Sequence, residues 1–166
     1  MKWYAKLIVI LALLALAAVI FGMVYVVTAK NNMNEYNIQS GAVFNAAMLI
    51  NGETTYTDAE HAVIASYEGE KAVVIPENYK SLLFYLRQNA GWPLYIPVHR
   101  EHALTIDVCG QSVFTVDFDA NGEDAAVELI TENKTFVMHI RGIALKERLL
   151  KCAMEGTFAG ENLTAE

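Results

Sequence analysis

The stretch LTIDVCGQSVFTVDF (residues 104–118) decides the fold class. In an extended chain Leu104, Ile106 and Val108 point to one side and Thr105, Asp107 and Cys109 to the other, the period-two alternation of a strand with one buried face. With Gly110-Gln111-Ser112 as a three-residue loop, Val108 comes opposite Phe114, Ile106 opposite Val116 and Leu104 opposite Phe118. Every large side chain of the pair then lies on one face, as a half-buried antiparallel sheet requires.

Downstream, AVELIT (126–131) and TFVMHIR (135–141) add two strands and complete a four-strand meander. The stretch IALKERLLKCAMEG (143–156) then switches to helical spacing, with Leu145, Leu149, Cys152 and Ala153 as an apolar stripe suited to cover the sheet. Upstream, PENYKSLLFYLRQNAG (76–91) predicts a helix on Tyr79, Leu82, Leu83 and Leu86 that stops at Gly91. AVIASYEGEKAVVIP (62–76) predicts a hairpin turning on Glu68-Gly69, and WPLYIPVHREH (92–102) an extended connector between its prolines. AVFNAAMLI (42–50) is read as a short helix closed by Asn51-Gly52. The expected class is therefore α+β, with a mostly antiparallel sheet: hairpin, helix, four-strand meander, C-terminal helix. A chain of 166 residues is sized for one such core and an appendage.

The appendage is the N-terminus. LIVILALLALAAVIFGMVYVV (7–27) carries no charge, proline or amide, and 21 residues of helix at about 1.5 Å each match a hydrocarbon core of roughly 30 Å. Lys2 and Lys6 precede it, while only Lys30 follows before Lys71, so the positive-inside rule keeps the N-terminus cytoplasmic and exports the rest. The expected organisation is a cytoplasmic stub (1–6), a transmembrane signal anchor (7–27), a polar asparagine-rich spacer (28–40), an extracytoplasmic α+β domain (41–156) and a polar tail (157–166). The small residues at Val27-Thr28-Ala29 provide the alternative, a secreted protein cleaved after Ala29.

Beyond residue 30 the chain holds nine Lys and Arg against nineteen Asp and Glu, a net charge of −10. That balance should repel nucleic acid, anionic lipid headgroups and anionic wall polymers, and favours a protein surface or a small neutral or cationic ligand. P-loop, dinucleotide-binding glycines and serine-nucleophile motifs are all missing from the sequence, so a non-enzymatic binding or structural module is expected at the cell surface.

One stretch carries a chemical pattern. DFDANGEDAAVE (117–128) sets Asp117, Asp119, Asn121 and Glu128 at oxygen-donor spacing around the turn glycine Gly122, with Glu123 as a further donor. Over these 12 residues it resembles the calcium loop of the EF-hand family, which implies calcium as the one candidate cofactor. The run entering it alternates like a strand, and Asp124 stands where the family has an aliphatic residue. The expectation is thus a calcium loop set between strands, serving rigidity, against a solvated hairpin turn on Asn121-Gly122. A third function class, a metal-dependent surface hydrolase, rests on His99 and His102, with His61 and His139 as additional imidazoles. Cys109 and Cys152 are expected as separate thiols, because the strand register and the helix stripe put them on different faces.

Overall fold

The computed structural model of the chain describes residues 3–51, 62–91 and 103–155. In order these are α1 (Trp3–Asn51), β1 (Val63–Tyr67), β2 (Glu70–Val73), a 3₁₀ turn (Pro76–Asn78), α2 (Tyr79–Arg87), β3 (Leu104–Val108), β4 (Ser112–Phe118), β5 (Asp124–Ile130), β6 (Thr135–Arg141) and α3 (Leu145–Met154). The strands form one antiparallel sheet ordered β2-β1-β3-β4-β5-β6. The fold is α+β, one long N-terminal apolar helix followed by a six-stranded sheet and two shorter helices.

The alternation that defines β3 and β4 does what the pattern requires. Leu104, Ile106, Phe114 and Val116 are fully buried, and Leu145, Leu149 and Ala153 of α3 cover the same side. Tyr79, Leu82 and Leu86 of α2 complete this layer. The register differs from expectation by two residues: Val108 pairs with Ser112, Ile106 with Phe114 and Leu104 with Val116. Cys109 takes a left-handed conformation (φ 56°) ahead of Gly110 (φ 65°), so the chain turns one residue early. A slip of two keeps each side chain on its face, which is why the core is unchanged. At the other hairpin Glu68 (φ 49°) and Gly69 (φ 85°) form the tight turn, as expected, with Tyr67 paired to Glu70.

The polar stretch 28–40 departs most from the sequence reading. It is helical throughout, continuous with both the apolar run and residues 42–50. Four asparagines lower its intrinsic helix propensity by tenths of a kcal/mol each (roughly 0.5). Tertiary packing overrides this, because Tyr36, Ser40, Phe44 and Ala47 fall at spacings of three and four and are fully buried. Tyr36 meets Phe136 at 6.4 Å between ring centroids, and Phe44 meets Phe114 at 5.6 Å and Tyr79 at 6.0 Å. The core thus begins before residue 41.

Candidate functional site

The oxygen donors of the loop between β4 and β5 are distributed over both strands and the loop tip. Asp117 lies on β4 opposite Ala126, and Glu128 on β5 opposite Thr115, both on the sheet face away from the helices. Asn121 and Glu123 are exposed at the loop tip. Asp119 turns inward: its Oδ1 accepts the N–H groups of Glu123 and Asp124, both at 3.1 Å, while its own N–H donates to the Asp124 carbonyl at 2.9 Å. Among the described residues no group of three or more His, Cys, Asp or Glu is arranged to hold a metal ion.

The loop has a structural task. Ala144 precedes α3 in a left-handed conformation (φ 52°) and supplies no side-chain cap. The carbonyl of Gly122 takes the Lys146 N–H at 2.9 Å, so the loop satisfies one of the helix's orphan donors. Gly122 needs its own positive φ (71°) and the absence of a Cβ, which would meet Lys146 Cβ at 3.0 Å. Asp119→Ala is accordingly expected to lower stability by about 1–2 kcal/mol, with Asp119→Asn recovering most of it. Urea titrations in chelator and in millimolar calcium check this, and a midpoint that rises with calcium would return the loop to the cation sites.

The most constrained polar cluster lies where α1 crosses α2. The Tyr36 hydroxyl donates to the Leu86 carbonyl at 2.7 Å, and burial pushes its phenol far above the ordinary range, so the donor stays protonated. Arg87 donates through Nε to Ser40 Oγ at 2.9 Å and through Nη2 to the Asn37 carbonyl. A Cβ on Gly41 would stand 2.5 Å from that Nη2, so this glycine opens the space the guanidinium occupies. Gly41→Ala should gain about 1 kcal/mol of helix propensity and lose more by displacing charge-assisted hydrogen bonds of about 1.5–3 kcal/mol. Made alone it is expected to destabilise; made on an Arg87→Ala background it is expected to stabilise. A double-mutant cycle by chemical denaturation reads that reversal of sign.

On the outer face of β5 and β6, Asp124 Oδ1 meets His139 Nε2 at 3.1 Å and Arg141 Nε at 3.3 Å. The strand pairings Ala126–His139 and Asp124–Arg141 bring these groups together. Sequence reasoning weighed His139 only as a metal ligand and missed this cluster, since its partners are distant in sequence. Glu35 on α1 similarly pairs with Lys134 Nζ at 2.5 Å, and that ammonium lies 4.7 Å from the centre of the Phe136 ring. His61, His99 and His102 lie outside the described residues. Cys109 and Cys152 are not joined in a disulfide, and burial pushes both thiol pKa values up.

Two grooves flank α1. One of about 480 Å³ runs between α1 and the turns before β4 and β6, lined by Glu35, Gln39, Gln111 and Glu132. The other, about 670 Å³, lies between the end of α1 and α2, lined by Asn45, Met48, Leu83 and Phe84. The apolar half of α1 is the largest exposed feature: the hydropathic window within it is 0% buried. No protein-family model, curated protein or solved structure matches the chain.

Proposed function

We propose that this is a single-pass membrane protein in which residues 7–27 cross the bilayer and the folded domain stands on the extracytoplasmic side as a non-enzymatic binding or structural module. One observation carries the reading. The apolar half of α1 buries nothing within the fold, although the same helix goes on to form core. Sixteen large apolar side chains between Leu7 and Val27 stand exposed. At about 1.5 kcal/mol each, leaving them in water forgoes on the order of 20 kcal/mol, more than the about 5–15 kcal/mol that stabilises a whole domain. Hydrocarbon removes that penalty, and the helix satisfies its own backbone there.

Lys2 and Lys6 ahead of the span support a cytoplasmic N-terminus. A binding or structural role is supported by how the polar groups are engaged: Asp119 in its own loop, Arg87 and Tyr36 in the α1–α2 joint. The net charge of −10 past residue 30 favours a basic or neutral partner. Membrane fractionation tests the anchor, with the intact chain expected to resist alkaline carbonate; release into the supernatant would defeat it. Protease added to intact cells should remove the domain, and protection would reverse the orientation. Cross-linking in the native membrane should yield a discrete partner, and recovery of the uncross-linked chain alone would count against the binding role.

A further inference from the structure

We infer that the β6 edge of the sheet, with the strap formed by residues 88–91, lies against the lipid headgroup layer of the bilayer that α1 crosses. This rests on the anchor reading above and adds which side of the domain meets the membrane. Two elements point the same way. Moving along α1 away from Val27, Glu35 pairs with Lys134 just before β6, Tyr36 packs on Phe136 of β6, and Phe44 packs on Phe114 of β4. The helix therefore steps across the strands from the β6 edge inward as it leaves the span.

The second element, α2, runs back along it. Tyr79 stands beside Phe44, Leu86 is bonded to Tyr36, and Arg87 reaches Asn37 and Ser40. Its continuation hydrogen-bonds along β6: the Gly91 N–H donates to the His139 carbonyl at 2.8 Å, the Gly91 carbonyl accepts the His139 N–H at 2.9 Å, and the Arg141 N–H donates to the Gln88 carbonyl at 3.2 Å. In sheet order, β2 at the opposite edge lies five strand spacings away, roughly 24 Å.

Distances fit a seated domain. Eight residues of unbroken helix separate Val27 from Glu35, about 12 Å, and each headgroup zone is about 5–8 Å thick. The Glu35–Lys134 pair then stands only a few ångströms beyond the headgroups, within a Debye length of about 8 Å. Charge is largely offset here: Glu35 is paired with Lys134, and Asp124 with Arg141 and His139, which leaves the exposed Glu132 of the β5–β6 turn as the acid that Lys134 must also offset.

Spin labels on the full-length chain test this, placed at Thr135→Cys on β6 or Lys71→Cys on β2, both exposed positions, in a Cys152→Ala background that leaves only the buried Cys109. The vesicles are phosphatidylcholine with phosphatidylglycerol, carrying a nickel-chelating headgroup lipid. The label at 135 should relax several-fold faster than the one at 71; equal rates, or faster relaxation at 71, overturn the inference while the anchor stands. A chain that fails to float with the vesicles defeats the anchor reading itself. Lys134→Glu, which leaves Glu35 facing a second acid, should slow the relaxation at 135 on the anionic vesicles and not on phosphatidylcholine alone. No difference between the two lipids overturns the electrostatic part.

Discussion

Replacing Phe44 by alanine is expected to cost the folded domain about 3–5 kcal/mol, the range for an aromatic side chain removed from a packed core. Phe44 is fully buried and touches both Tyr79 at the start of α2 and Phe114 in the middle of the sheet. Its loss would open a void between three elements at once. Leu49, five residues on in the same helix and just as apolar, is 75% exposed. Leu49→Ala should change stability by less than about 0.5 kcal/mol. Urea denaturation of the full chain in detergent, followed by near-ultraviolet circular dichroism, checks both. Equal effects at the two positions would mean that the C-terminal half of α1 does not pack as described.

Arginine at Leu16 and Ile20 together should abolish stable membrane integration. Both lie near the middle of the apolar run, where arginine costs about 2.5–3.5 kcal/mol per residue on the insertion scale, so the pair opposes insertion by roughly 5–7 kcal/mol. Alkaline carbonate should then release the chain, whereas the parent resists. The exposed positions of both residues separate this from unfolding: the released protein should keep the melting midpoint of the domain. Retention in the pellet despite two arginines would sink the spanning reading.

These two substitutions fall on the same helix and were unequally legible in the sequence. A helix long and apolar enough to cross a membrane is visible in composition alone, because unbroken apolarity over a fixed length needs no tertiary partner to be read. The packed half is not. Met33, Tyr36, Ser40, Phe44 and Ala47 follow helical spacing, but asparagines interrupt the apolar signal and Gly41 looks like a stop. Only the neighbour explains that glycine: the Arg87 guanidinium fills the space a Cβ would take. The acidic loop is a different case. Its oxygen donors sit on β4, on β5 and at the loop tip, and Asp119 accepts N–H groups of its own loop, a placement that spacing along the chain does not disclose.

From the sequence by itself came the α+β class, the order of the elements after α1, the buried faces of β3 and β4 and the stripes of α2 and α3. Each of these follows from local periodicity, which needs only the geometry of one strand or one helix. The tertiary structure alone decided that the apolar run and part of the core share one helix, that the β3–β4 turn begins at Cys109, that the Gly122 carbonyl takes an N–H of α3, and that Tyr36 and Glu35 of α1 meet β6 and the turn before it. Those depend on contacts between residues far apart in sequence, where an arginine, a carbonyl or an aromatic ring on one element sets what its neighbour must be.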